Sequence, residues 1–142
     1  MFLTKSEDET IQAGAQIARE LPRQAVVLLI GNLGAGKTTL AKGIIEGLGA
    51  AARDEVSSPT FTLIHEYAGA VYHIDLYRIE TYEELATLGL DEIFDRQAVV
   101  LIEWGERFPR VLPADRFEIR LTPQGEDERQ IELSFPAPAL QL

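Results

Sequence analysis

The chain has 142 residues, 13 Lys and Arg against 23 Asp and Glu, a formal net charge of −10 and no cysteine. That length suits one domain, and the missing cysteines exclude a disulfide scaffold, a thiolate zinc site and thiol catalysis. The acidity argues against holding a nucleic acid by charge, which rests on Lys and Arg.

The first residues turn acidic at Glu7-Asp8-Glu9, unlike a signal or transit peptide. No run of about 18 apolar residues follows, so a cytoplasmic protein without membrane contact is expected. Ser6-Glu7-Asp8-Glu9 reads as a capping box. Ile11, Gly14, Ala15, Ala18 and Leu21 then share one helical face, and Pro22 ends the helix. Residues 25–30 (Ala-Val-Val-Leu-Leu-Ile) form the short continuous apolar run of a strand buried on both faces. Residues 31–36 make a glycine-punctuated loop. A helix is expected from Lys37, with Leu40, Ile44, Ile45 and Leu48 inward and Gly49 as the stop.

After a loop at 50–59, residues 61–67 and 70–76 read as a hairpin around Ala68-Gly69. Thr81-Tyr82-Glu83-Glu84 is a second capping box, opening a short helix that Gly89 closes. Residues 98–102 are another buried strand, ending at Glu103-Trp104. Residues 117–122 and 130–135 alternate around Gly125 and predict a second hairpin. The expected fold is α/β: a mostly parallel central sheet with added antiparallel hairpins, flanked by helices, in one domain over residues 1–142.

Gly31-Asn32-Leu33-Gly34-Ala35-Gly36-Lys37-Thr38 satisfies G-x-x-x-x-G-K-[ST] in full, directly after a buried strand and before a helix. In that context the pattern predicts a P-loop NTPase. Glycines let the backbone N–H groups turn inward on phosphate oxygens, and the helix adds its positive end. Leu33, Gly34, Ala35, Gly36, Lys37, Thr38 and Thr39 are therefore candidate nucleotide contacts. Lys37 supplies a point charge for the β- and γ-phosphates, and the Thr38 hydroxyl is placed to ligate Mg²⁺. Glu103, at the end of a buried strand, is a candidate for the Mg²⁺ shell, directly or through water, or for orienting the attacking water. Asp75 is either a second acid reaching the ion or Lys37, or a surface acid of the hairpin. Ser57-Ser58-Pro59-Thr60 reads either as a nucleotide-sensing loop or as turn chemistry. His65 and His73 fall at unlike positions and do not suggest a metal pair.

The guanine-reading patterns D-x-x-G and N-K-x-D are absent, as is G-x-G-x-x-G, so ATP is the expected nucleotide. Arg53, Arg78, Arg96, Arg107 and Arg110 are scattered, without a lid insertion of the kind a small-molecule kinase needs. A phosphotransferase and a nucleotide-dependent protein-binding module stand as alternatives to an ATP hydrolase.

Four stretches occur in order: Gly-Asn-Leu-Gly-Ala-Gly-Lys-Thr-Thr-Leu at 31–40, Ser-Pro-Thr-Phe-Thr-Leu at 58–63, His-Ile-Asp-Leu-Tyr-Arg at 73–78 and Leu-Ile-Glu-Trp at 101–104. Together with Glu83-Glu84-Leu85 and Leu88-Gly89 they resemble the TsaE (YjeE) family over about residues 6–135. The resemblance implies a small bacterial ATPase of tRNA threonylcarbamoyladenosine (t6A) biosynthesis, using ATP and Mg²⁺. It implies that Thr38 and Glu103 serve the metal with Asp75 nearby, that Thr60 belongs to a switch-like loop, and that Trp104 lies close to the nucleotide. It further implies TsaB and TsaD as protein partners. TsaD would modify adenosine 37, with tRNA reached only through these partners and DNA not at all. Asn32 stands where the family often has Asp, and residues 105–113 fit only loosely. Lys37, Thr60, Asp75 and Glu103 are the expected catalytic set.

Overall fold

Ser6 caps the first helix as expected, accepting a hydrogen bond from Glu9 N at 3.1 Å, while Glu9 reaches back to Lys5 N at 3.0 Å. The structure, a computed structural model, describes residues 1–134. The tail at 136–142 and the last residue of the second expected hairpin, Phe135, lie outside the described residues. The elements are β1 (Phe2–Thr4), α1 (Glu7–Glu20), β2 (Ala25–Ile30), α2 (Lys37–Gly47), β3 (Ile64–Tyr67), β4 (Val71–Asp75), α3 (Tyr82–Ala86), α4 (Leu90–Phe94), β5 (Val99–Glu103), β6 (Phe117–Pro123) and β7 (Arg129–Ser134).

The strands form one seven-stranded sheet in the order β1-β7-β6-β2-β5-β4-β3. Its middle, β6-β2-β5-β4, is parallel throughout, and β1, β7 and β3 are joined by antiparallel pairing. Parallel strands need both faces covered, and the alternating side chains of β2 show how. Val27 and Leu29 pack with Ile17, Leu40 and Ile44 under α1 and α2. Val26 and Leu28 face the other way, with Leu85, Leu90, Ile93 and Phe108. The predicted mixed α/β sheet, mostly parallel at its centre, is what forms.

Three local expectations change. The hairpin around Ala68-Gly69 is present, both turn residues holding positive φ (54° and 64°). Yet its second strand, β4, also pairs in parallel with β5, so it is part of the core and only β3 is an addition. The segment at 61–63 is turn rather than strand, closed by Leu63 N donating to Pro59 O at 2.6 Å. Gly89 does not close a single helix. Helix α3 ends at Ala86, and Gly89, at φ 68°, caps a separate helix α4. Strand β1 had no signal of its own: three residues are too few for alternation, and it forms because β7 offers an open edge.

Helices α1 and α2 are in backbone contact. Gly14, Gly43 and Gly47 occupy the seam; a Cβ at Gly14 would lie 2.7 Å from Leu40 O, and one at Gly47 2.8 Å from Ala15 Cα. This close seam carries the N-terminal turn of α1 to the glycine loop that precedes α2.

Candidate active site

Parallel register brings the strand ends together. Asp75 pairs with Glu103 across β4 and β5, and Glu103 with Leu29 across β5 and β2. The crevice outside the carboxyl ends of such strands is where open α/β sheets take ligands. Here it is a cleft of about 420 Å³ lined by Glu7, Thr10, Leu33, Gly34, Gly36, Lys37, Thr38, Thr39, Ser58, Thr60, Asp75, Tyr77, Glu103, Trp104, Asp127 and Arg129. Every expected catalytic, metal or nucleotide-contacting residue lies on this wall except Ala35, whereas Ser57 and Pro59 of the 57–60 loop do not. Ala35 is fully buried, and its N–H donates to Asn32 O at 2.9 Å. Gly36 caps α2 at φ 100° and Gly34 holds φ 81°, conformations that a side chain would resist.

Lys37, Asp75 and Glu103 are 5%, 3% and 4% exposed, so three charges meet in a poorly hydrated place. Lys37 Nζ donates to Gly31 O at 2.8 Å and lies 3.4 Å from the centre of the Trp104 ring. Burial pushes its pKa below the ordinary lysine value; Glu103, Glu106 and Asp75 pull the other way. Thr38 Oγ1 donates to Glu103 Oε2 at 3.3 Å. Asp75 is not a surface acid: its Oδ2 accepts from Thr60 Oγ1 at 3.0 Å and its Oδ1 from Tyr77 N at 2.9 Å. Ser58 Oγ stands 2.7 Å from Thr60 Oγ1, which ties the 57–60 loop to the β4 end. Trp104 takes φ 66°, a strained backbone for a bulky residue, and packs against Tyr77 with ring centres 5.2 Å apart and planes tilted by 54°.

Glu106 shows the cost of burying an acid beside this cleft. Its Oε1 is buried without a partner, and burial raises its pKa above the ordinary 4.5 despite attraction to Lys37. Between 4.5 and that raised value the folded chain keeps a proton that the unfolded chain has lost, so stability falls as pH rises through the window. Glu106→Gln is therefore expected to raise Tm at pH 8, with the gain shrinking as pH falls toward 4.5. Thermal melts of both proteins across that range check it; equal melting at pH 8 contradicts it.

A family model described as threonylcarbamoyl adenosine biosynthesis protein TsaE matches residues 4–131. The chain belongs to the TsaE family. A Bacillus subtilis relative named tRNA threonylcarbamoyladenosine biosynthesis protein TsaE is 49% identical over 109 residues, which are 75% of this chain and 66% of that protein. The chain thus spans just under two thirds of that relative. A Treponema pallidum protein of the same name is 37% identical over 134 residues, 93% of this chain and 98% of its own. The crystal structure of YdiB from Bacillus subtilis superposes with a TM-score of 0.76 at 35% identity, covering 96% of this chain and 84% of that one.

In this TsaE-family chain two residues that received no site role from the sequence stand at this centre, Arg129 on the cleft wall and His73 buried behind it. Arg129 reaches from β7 to the glycine loop, its Nε donating to Ala35 O at 2.8 Å and its Nη2 to Gly34 O at 3.4 Å. Nothing local marks it, because the register Thr4 to Arg129 across β1 and β7 sets its place. His73 stands 2.6 Å from Glu103 Oε2 through Nε2. It had a readable signal, since it shares the strand face of Asp75 two positions on. His65, opposite His73 in the β3–β4 register, instead has Tyr67 Oη 3.4 Å from its Nδ1.

Proposed function

We propose that this chain is a P-loop NTPase that binds Mg²⁺ and ATP in the cleft and hydrolyses ATP in support of t6A formation at position 37 of tRNA, with TsaB and TsaD as its partners. The observation that carries the reading is the convergence of Lys37, Thr38, Glu103, Asp75 and Thr60 on one cleft at the N-terminus of α2. Loop N–H groups and the α2 dipole favour a polyphosphate there. Lys37 binds the β/γ-phosphate oxygens and stabilises the charge that builds during transfer. Thr60, held by Asp75, senses the γ-phosphate from the 57–60 loop. Leu33, Gly34, Gly36 and Thr39 line the nucleotide's path, Ala35 contributes through its backbone, and Trp104 covers the phosphate end.

The residues fit the ion. Among the described residues no three His, Cys, Asp or Glu side chains converge as a cage, and magnesium does not require one. It keeps several waters and takes one or two carboxylates together with substrate phosphates. Thr38, Glu103 and Asp75 would hold it, and it would neutralise charge on the β- and γ-oxygens. Glu103 then orients the attacking water.

Arg129 is the one arginine on the cleft wall among the described residues, and its N–H groups serve loop and hairpin carbonyls. Among the described residues no arginine is therefore poised for a γ-phosphate, a group that contributes about 10³–10⁵ in rate. The chain alone should hydrolyse slowly and speed up with TsaB and TsaD in a cytoplasmic complex. The net charge of −10 leaves tRNA to those partners. Turnover of γ-labelled ATP, alone and with TsaB and TsaD, tests this. Slow release of inorganic phosphate, accelerated by the partners, is expected. Label in another product would identify a phosphotransferase, and a rate of about 1–100 s⁻¹ by the chain alone would remove the need for partners.

A further inference from the structure

His73 is a fully buried polar side chain that the proposed mechanism leaves idle. Its Nε2 lies 2.6 Å from Glu103 Oε2, a short contact of the charge-assisted kind. Its Nδ1 is buried without a partner. The hydrogen-bond network assigns the proton to Nε2: the alternative tautomer would bury an unpaired N–H, which costs more than an unpaired lone pair. A hydrocarbon side chain in this core would avoid even that cost, and buried polar pairs replaced by well-packed apolar residues often leave stability unchanged or higher. Packing alone does not account for a histidine here.

The rest of the geometry supplies a reason. His73 lies opposite Leu101 on the face that carries Asp75 and Glu103, one side-chain layer below them. Two donors meet Glu103 Oε2, namely His73 Nε2 at 2.6 Å and Thr38 Oγ1 at 3.3 Å, while Oε1 has no hydrogen bond among the described residues. The Thr38 hydroxyl can turn a lone pair to an ion and keep its O–H on Oε2, but at 3.3 Å it is the looser of the two donors, and the 2.6 Å contact from His73 is the one that fixes Oε2. We propose that His73 is a positioning residue that holds Glu103 by Oε2 and thereby presents Oε1 to the metal ion or its water. This rests on the metal–nucleotide reading of the cleft.

The test uses the full chain, ADP with a fluorescent ribose label, and Mn²⁺ in place of Mg²⁺. Three quantities are read: Mn²⁺ affinity of the ADP complex by electron paramagnetic resonance, ADP affinity in EDTA by fluorescence, and Tm. A Gln amide nitrogen reaches the level of imidazole Nε2, whereas an Asn amide stops at the level of Nδ1. His73→Gln should therefore keep Mn²⁺ affinity near that of the unmodified chain, and His73→Asn should lose about 10–100-fold, the usual cost of removing an outer partner of a ligand. ADP affinity in EDTA should be the same in all three. Equal Mn²⁺ affinity in the two variants overturns the proposal, as does a parallel loss of metal-free ADP affinity in His73→Asn. Should His73→Asn fail to fold, His73→Gln decides alone, with retained Mn²⁺ affinity in support and a loss beyond about tenfold against. If the unmodified chain with ADP holds no more Mn²⁺ than free ADP does, the metal–nucleotide reading itself fails and takes this one with it.

Discussion

Lys37→Ala is expected to lower ATP turnover by at least about 10²–10³-fold, the scale seen when one preorganised donor to developing charge is removed. The side chain sits where burial strengthens each electrostatic contact, 5% exposed among Glu103, Glu106 and Asp75. It is also in reserve. Its ammonium rests on Gly31 O and against the Trp104 ring, both of which it can exchange for phosphate oxygens without a change of backbone. Stability should not follow activity down, because holding a desolvated ammonium is a cost to the folded chain, visible as the lowered pKa of Lys37. A variant that melts near the unmodified protein but releases phosphate more slowly by that factor is the expected result in a phosphate-release assay with parallel thermal melts. Undiminished turnover would remove Lys37 from the site and the proposed chemistry with it.

Gly43→Ala tests the scaffold, and its sign is the informative part. In an exposed helix interior, Gly to Ala stabilises by about 1 kcal/mol. At Gly43 the new Cβ would overlap the carbonyl oxygen of Ile11 on α1, backbone that has no rotamer to yield. The two helices must separate along a seam where Gly14 and Gly47 are also tight, with Cβ clearances of 2.7 and 2.8 Å. A loss of about 3 kcal/mol or more is expected, which at this chain length lowers Tm by roughly 10 °C. Glu7 and Thr10 of α1 form one wall of the cleft, so a displaced α1 also weakens nucleotide binding. Gly125→Ala is the control: its Cβ would come no nearer than 3.9 Å to Glu128, and the change should stay within about 0.5 kcal/mol. Urea unfolding of the three proteins decides; Gly43→Ala within about 1 kcal/mol of the unmodified chain would show that the helices are free to move apart.

Features written in contiguous residues were legible from the sequence. The N-caps at Ser6 and Thr81 both form, because a cap needs only its neighbour three residues on. The return bonds differ from a full box: Glu9 takes Lys5 N, and Glu84 meets the Thr81 hydroxyl. The strand–loop–helix unit from Ala25 to α2 was readable for the same reason: an apolar run, glycines where φ turns positive, and a lysine at the helix start. The errors fall where local and non-local signals compete. Gly89 is as good a helix stop as it is a left-handed cap, and only the burial of Leu90 and Ile93 against the sheet makes it the second. The turn at Ala68-Gly69 predicts a hairpin correctly but is silent on what lies beyond it, so β4 looked like an appendage until β5 paired with it.

The motif residues by themselves determined that this chain carries a G-x-x-x-x-G-K-T loop between strand and helix, with Lys37 and Thr38 at the helix start, because a loop's dihedrals and donors belong to adjacent residues. Tertiary structure alone decided that Glu103 would be held by His73 across 30 residues and that Arg129 would grip Ala35 across 94. Those contacts depend on strand order and register, which are set by how the whole sheet buries its two faces, and no short window of sequence contains that balance.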